Sequence, residues 1–226
     1  MYKNKFISGI ITAAGMGTRM ESDIPKLEMK IFGRSIIDYT VEKFYNLDVF
    51  DEIILVSSKN LILEYKNRFS KLKNLKVILG GGSREESTYL GLKALNEISE
   101  IVVCHDGARP FVTKELILSS IESTMINGSG VTGVKVKDTI KTVEKNVVIS
   151  TPPRDKLYQI QTPQTFKTEL ILSAYEKFFG KIPTTDDAGY LEAMGQKVFI
   201  VEGDYKNIKI TTPEDMLIAK VIMEAQ

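Results

Sequence analysis

The stretch Phe6-Ile7-Ser8-Gly9-Ile10-Ile11-Thr12-Ala13-Ala14-Gly15-Met16-Gly17-Thr18-Arg19-Met20, with Pro25-Lys26 close behind, decides how the chain is read. The apolar run Phe6–Ile11 predicts a buried strand that feeds a loop of small residues and then two cations. Small residues let backbone N–H groups approach an anion, and successive N–H groups can form an anion nest. Arg19 offers a planar fork for phosphate oxygens and Lys26 a compact charge. Gly15-Met16-Gly17 opens like a dinucleotide fingerprint, but Met20 stands at the third glycine position, and no Gly-Lys-Ser/Thr follows as in a P-loop. Taken alone, the stretch fits a tight turn with a surface arginine as well as it fits a polyphosphate cradle.

Outward from it, apolar runs alternate with helical patterns. Strands are expected at Phe6–Ile11, Ile53–Ser57, Lys76–Leu79, Ile101–Cys104, Gly130–Val134 and Val198–Val201. Ile37, Val41 and Phe44 recur at helical spacing, as do Leu61, Tyr65 and Phe69, then Ile117, Ile121 and Met125, then Ile171, Tyr175 and Phe178. Thr113 suits the N-cap of a helix, and Thr211-Thr212-Pro213-Glu214-Asp215 is a strong helix start. Strand and helix in alternation predict an α/β fold with a doubly wound, mostly parallel sheet. Such sheets bind ligands beyond the carboxyl ends of their strands. From Val134 to Val148 the alternation gives way to a β-rich segment with a polar turn at Glu144-Lys145-Asn146. This fits a β-hairpin arm leaving the body, or equally an antiparallel edge of the same sheet. No repeats or linkers interrupt the chain, so residues 1–226 are expected to form one folding unit, with 135–160 as the arm.

Composition narrows the classes. The apolar fraction is 43%, the charged fraction 26% and the formal charge +1 in 226 residues, which gives no sign of a nucleic-acid-binding surface. No apolar run approaches the roughly 18 residues of a membrane span. The start of the chain leads straight into a strand, so a cytoplasmic location is expected. One cysteine, Cys104, excludes an internal disulfide and a Cys-cluster zinc site. The single histidine, His105, adjoins it on a strand and points to the other face, so the two cannot chelate together. Any metal must take oxygen ligands, which favours magnesium-like ions.

Two further stretches carry chemistry. Gly80-Gly81-Gly82-Ser83-Arg84-Glu85-Glu86-Ser87 follows a strand and opens a helix. Its backbone suits the approach of a base or ribose, and Ser87 could meet a base edge. Equally, it is a plain connection with Ser83 as N-cap. Ile101-Val102-Val103-Cys104-His105-Asp106-Gly107-Ala108-Arg109-Pro110 ends an apolar strand in an acid at the ligand-binding edge. Asp106 there can hold magnesium between phosphate oxygens, form an Asx-turn or pair with Arg109. His105 is expected to be a packed strand-end residue. Lys137, Lys141, Arg154, Lys206 and Lys209 add cations, each a surface charge if read singly. Thr184-Thr185-Asp186-Asp187 reads first as a helix cap and second as a substrate contact.

Together these stretches resemble the 2-C-methyl-D-erythritol 4-phosphate cytidylyltransferase family. The likeness runs through Ala13–Met20, Pro25-Lys26, Gly80-Gly81 with Arg84 and Ser87, and His105–Pro110. It continues through Asp138-Thr139-Ile140-Lys141, Arg154, Gln161–Phe166 and Asn207–Asp215. The resemblance implies a Rossmann-like nucleotidyltransferase fold and transfer of a cytidylyl group from CTP with Mg2+ or another divalent cation. It implies catalytic roles for Arg19, Lys26, Arg154 and Lys209, and nucleotide contacts from Ala13, Ala14, Gly15, Met16, Gly17, Arg19, Lys26, Gly81, Gly82, Ser87 and Asp106. Asp106 would sit by the metal. Thr139, Arg154, Lys209 and Asp106 would hold the polyol phosphate, with Thr139 and Arg154 serving a neighbouring subunit through arm exchange in a homodimer. Gly107 departs from the family's usual alanine, Leu27 from a frequent glutamine, and Gly82 from a common acid. Ribitol-5-phosphate cytidylyltransferase is the nearest alternative. A nicotinamide-dependent dehydrogenase is remote, because Met20 breaks the glycine fingerprint.

Overall fold

The computed structural model describes residues 1–15 and 24–225. The first strand, β1, spans Ile7–Ala13, one residue later than the apolar run suggests at its start and two later at its end. After a single 3-10 turn at Lys26–Glu28 come the short β2 (Lys30–Ile31) and β3 (Arg34–Ser35), then α1 (Ile36–Tyr45), β4 (Glu52–Ser57), α2 (Ile62–Arg68) and β5 (Leu75–Leu79). The chain continues through α3 (Arg84–Lys93), β6 (Ile101–Asp106), α4 (Lys114–Asn127) and β7 (Ser129–Lys135). Then follow β8 (Thr142–Glu144), β9 (Val147–Ser150), β10 (Tyr158–Lys167), α5 (Thr168–Phe178), α6 (Ala188–Ala193), β11 (Ile200–Glu202) and α7 (Pro213–Glu224).

Seven strands form one sheet in the order β11-β7-β10-β6-β1-β4-β5. β5, β4, β1 and β6 run parallel, as the alternation predicts. β10 enters antiparallel between β6 and β7, which makes the sheet mixed. No strand is expected there from sequence, because Pro163 sits in its middle and proline cannot donate to a central ladder. The sheet accommodates it with a register shift between Ile160 and Gln164.

Side chains alternate between two packed layers, as strand pleating requires. Ile7, Ile11, Ile53, Leu55, Ile101 and Val103 meet Val41, Phe44, Tyr65, Ile117 and Ile121 of α1, α2 and α4. Ile10, Ile54, Val56, Val102, Cys104 and Phe166 meet Leu92, Ile171, Tyr175 and Leu191 of α3, α5 and α6. The helix starts follow the local chemistry. Ser35 and Asp38 form a reciprocal capping box on α1, as do Thr212 and Asp215 on α7, and Thr113 accepts from the Leu116 N–H at the start of α4. Among the described residues β8 and β9 pair only with each other, joined through Lys145 and Asn146 at φ of 46° and 66°. Two residues of positive φ make the tight turn favoured in hairpins. Of the two readings of this segment, the hairpin arm is the one observed.

Candidate active site

The carboxyl ends of β1 and β6 lie side by side, with Thr12 in register with Asp106. Close approach continues around them. A Cβ on Gly80 would lie 2.5 Å from the Ala14 Cβ and 2.9 Å from the Ser87 Oγ, so only glycine lets the β5–α3 loop close onto the end of β1. Two cavities open at this edge. One is lined by Thr12, Ala14, Gly15, Lys26, Ser87 and Thr211, among others. The other is lined by Arg109, Gln161, Thr162, Gln164 and Thr185, among others. Arg84, Asp106 and Lys209 line both and form the wall between them.

That wall is an ionic network. Asp106 Oδ2 lies 2.8 Å from Lys209 Nζ and 3.6 Å from Arg109 Nε, and Asp106 Oδ1 accepts from Arg84 Nε at 3.1 Å. Burial alone would raise the Asp106 carboxyl, but the charges of Arg84, Lys209 and Arg109 overcome it and hold the group well below the usual carboxylate range. Burial likewise disfavours the charged Arg84, yet Asp187 and Asp106 outweigh it and keep the guanidinium firmly protonated. Arg84 Nη1 and Nη2 donate to Asp187 Oδ1 and Oδ2, each at 2.9 Å. Asp187 is fully buried and also accepts from the Tyr175 hydroxyl at 2.5 Å.

Lys209 comes from the segment before α7, and backbone bonds place it. The Ile210 N–H donates to Ala108 O at 2.9 Å, Arg109 Nη1 donates to Asn207 O at 2.8 Å, and Asn207 Nδ2 donates to Thr162 O at 2.8 Å. His105 is a pin beneath this site. The Thr162 hydroxyl accepts from the Asp106 N–H at 3.0 Å and lies 3.0 Å from His105 Nδ1, and His105 Nε2 lies 3.1 Å from Arg109 O. A carbonyl needs a donor, so the proton sits on Nε2 and Nδ1 accepts from Thr162. Burial lowers the imidazole pKa to about 4, so it is neutral near pH 7. The expectation of a packed histidine agrees with this geometry.

Of the residues singled out from sequence, Ala14, Gly15, Lys26, Ser87, Asp106 and Lys209 line the cavities. Ala13 is a buried β1 residue one step beneath them. Met16, Gly17 and Arg19 lie outside the described residues. Gly81 and Gly82 do not line either cavity: the Gly81 N–H donates to Ser87 Oγ at 3.2 Å and the Gly82 N–H to Glu86 Oε2 at 2.7 Å. Ser87 in turn donates to Ser83 O at 2.8 Å, while Ser83 caps α3. Thr139 and Arg154 are exposed on the arm away from both cavities, and Arg154 Nη1 donates to Lys137 O at 2.9 Å. Asp187 occupies the cap position of α6 without capping it; its neighbour Asp186 accepts from the Gly189 N–H at 3.1 Å instead. Sequence reasoning took Asp187 first for a helix cap and second for a substrate contact; its pairing with Arg84 and Tyr175 is the part it missed. No local signal joins them to Arg84, which is 103 positions from Asp187.

Comparison with known proteins agrees with this architecture. The family model IspD, 2-C-methyl-D-erythritol 4-phosphate cytidylyltransferase, matches residues 7–225. A protein of that name from Caldanaerobacter subterraneus is 41% identical over 230 residues, covering 96% of this chain and 98% of the relative. The crystal structure of 4-diphosphocytidyl-2C-methyl-D-erythritol synthase from Anaerococcus prevotii superimposes with a TM-score of 0.88 at 40% identity, covering 97% of this chain and 96% of that one. The Francisella tularensis cytidylyltransferase structure gives 0.82 at 32% identity, covering 96% and 100%. With a family model spanning nearly its whole length and relatives this similar, the chain belongs to the 2-C-methyl-D-erythritol 4-phosphate cytidylyltransferase family.

Proposed function

We propose that the chain joins CTP and 2-C-methyl-D-erythritol 4-phosphate to give 4-diphosphocytidyl-2-C-methyl-D-erythritol and pyrophosphate, in non-mevalonate isoprenoid biosynthesis. The observation that carries this reading is the pair of cavities sharing a wall of Arg84, Asp106 and Lys209. CTP fits the cavity floored by Ala14, Gly15, Lys26 and Ser87, and the polyol phosphate fits the cavity beside Arg109 and Thr185. A phosphate oxygen of the polyol attacks the α-phosphorus; that P–O bond forms as the bond to pyrophosphate breaks, and pyrophosphate leaves. A phosphate monoester is already mostly dianionic near neutral pH, its second pKa being about 6, so no general base is needed. His105, neutral and buried, offers none. The task is to bring two polyanions together, which assigns catalysis to cations and positioning. Arg19, Lys26 and Lys209 are proposed to stabilise the transition state.

The described residues do not form a resident metal site. No three His, Cys, Asp or Glu side chains among them converge, and both Asp106 oxygens already face cations. We therefore assign the divalent ion, Mg2+ in the first instance, to the CTP complex as part of the substrate, and assign Asp106 to holding Arg84 and Lys209. Calorimetric titration of the CTP-free protein with Mg2+ should show no stoichiometric binding, and a one-to-one site would return Asp106 to the metal.

Thr139 and Arg154 are proposed to reach the polyol site of a second subunit through arm exchange. The arm is rooted beside the Lys209 segment, where the Tyr205 hydroxyl donates to Lys135 O at 2.7 Å and Lys137 Nζ lies 3.6 Å from the Tyr205 ring centroid. The unit that works is residues 1–226, proposed as a single catalytic domain in the cytoplasm; no helix among the described residues is long and apolar enough to cross a membrane. A pyrophosphate-release assay with CTP tests the reaction. Turnover is expected with 2-C-methyl-D-erythritol 4-phosphate, and preference for ribitol 5-phosphate would overturn the assignment. Lys26→Ala or Arg19→Ala should lower turnover by about 100-fold or more while CTP binding changes far less; equal loss of both would mean simple ground-state binding. Size-exclusion chromatography of a chain lacking residues 135–160 should show loss of the dimer, and an unchanged dimer would sink arm exchange as its basis.

A further inference from the structure

Behind the Arg84 of the shared wall lies Asp187, which the proposed reaction does not use. Asp187 caps no helix and lines neither cavity, yet it is fully buried and ion-paired with Arg84. Three features immobilise it. Tyr175 donates to it and is packed against Tyr89 at 5.6 Å and Tyr190 at 4.1 Å. Gln164 of β10 holds the residues on either side, donating to Asp186 Oδ2 at 2.9 Å and accepting the Ala188 N–H at 3.1 Å. Arg84 then meets Asp187 with both terminal nitrogens and has only Nε for Asp106.

The geometry creates a competition. An arginine fork prefers a carboxylate taken through two parallel N–H bonds, and two carboxylates lie within its reach. Because Asp187 takes the fork, Asp106 gives Arg84 only Oδ1 and keeps Oδ2 for Lys209 at 2.8 Å. Without the charge on Asp187, the fork would turn onto both oxygens of Asp106 and displace Lys209. We propose that Asp187, seated by Tyr175, is a positioning residue that holds Lys209 in place by keeping Arg84 from claiming Asp106. This inference rests on the cytidylyltransferase reading for its kinetic test only.

The test is a double-mutant cycle on pyrophosphate release with Asp187→Asn and Arg84→Gln. Asp187→Asn should lower kcat about 10-fold with the KM for CTP within about threefold of the parent, following the partition of mutant kinetics between bound states. In the Arg84→Gln background the same substitution should cost nothing further, because no fork remains to misplace. Multiplying losses would make Asp187 an ordinary structural acid and overturn the proposal. Tyr175→Phe, which keeps the ring and removes one hydrogen bond, covers the case in which Asp187→Asn does not fold; it should lower kcat about two- to threefold in the parent and not at all with Arg84→Gln, at the modest scale of one hydrogen bond. A crystal structure of whichever variant folds separates this inference from the reaction itself. Arg84 in a two-bond contact with Asp106 and Lys209 displaced would support it even if the substrate were another polyol phosphate. Lys209 unmoved would overturn it.

Discussion

β6 and β9 are built from much the same residues and end in opposite surroundings. Ile101, Val102, Val103 and Cys104 of β6 are buried between two helical layers. Val147, Val148 and Ile149 of β9 are 54–62% exposed, and Val143 opposite them on β8 is 51% exposed. An apolar β-branched run therefore specifies a strand without specifying what covers it. In β6 the neighbours β1 and β10 and the helices on both faces are supplied by the same chain. Among the described residues β9 pairs only with β8 and its apolar side chains stay exposed, which is the physical basis for proposing a second subunit there.

One substitution, made in both strands, sharpens this contrast. Ile101→Ala should lower the free energy of unfolding by about 3 kcal/mol in urea denaturation, the usual range for emptying a buried site. A cost under about 1 kcal/mol would mean that the core collapses around the gap. A medium-sized effect comes from pH, beneath the end of β6. His105 is the only histidine of the chain, and its folded pKa of about 4 lies below the ordinary 6.5. The unfolded chain thus takes up a proton between these values and the folded chain does not. The stability is fully present above pH 6.5 and is lost as pH falls toward 4, amounting to about 2 kcal/mol between pH 7 and pH 5. Urea denaturation at the two pH values measures it, and a slope unchanged by His105→Asn would place its origin elsewhere. The smallest expected effect is on the arm. Ile149→Ala should change the stability of an isolated subunit by no more than about 0.5 kcal/mol. A loss that grows with protein concentration would instead report a covered face, because association is linked to folding.

The same contrast explains what was legible from sequence. The parallel strands and their helices could be read because burial on both faces writes continuous apolar runs, and because Thr113 and Thr212 mark helix starts with chemistry one turn long. β10 was hidden by Pro163, whose local rule points away from a central strand while the register shift lets it stay. In the site, Asp106 stood out as an acid at the end of a strand, while Lys209 read singly as a surface charge and gained a role only through the family resemblance. Their geometry did not, since it depends on Arg84, Asp187 and Tyr175 meeting from three separate elements. Gly81 and Gly82 show the reverse case. Their glycine-rich pattern suggests ligand contact, whereas their N–H groups are satisfied by Ser87 and Glu86 of the following helix.

The protonation of His105 and Asp106 has a consequence for how the enzyme answers its surroundings. The imidazole stays neutral and the carboxyl stays charged across the range from about pH 6 to pH 8. The two acid–base groups of the His105-Asp106 pair thus do not act as a pH sensor. Decline of turnover toward acid would be set by the incoming phosphate itself as it gains a proton near pH about 6. For the proposed reaction, sensitivity to acidity is carried into the site by the substrate.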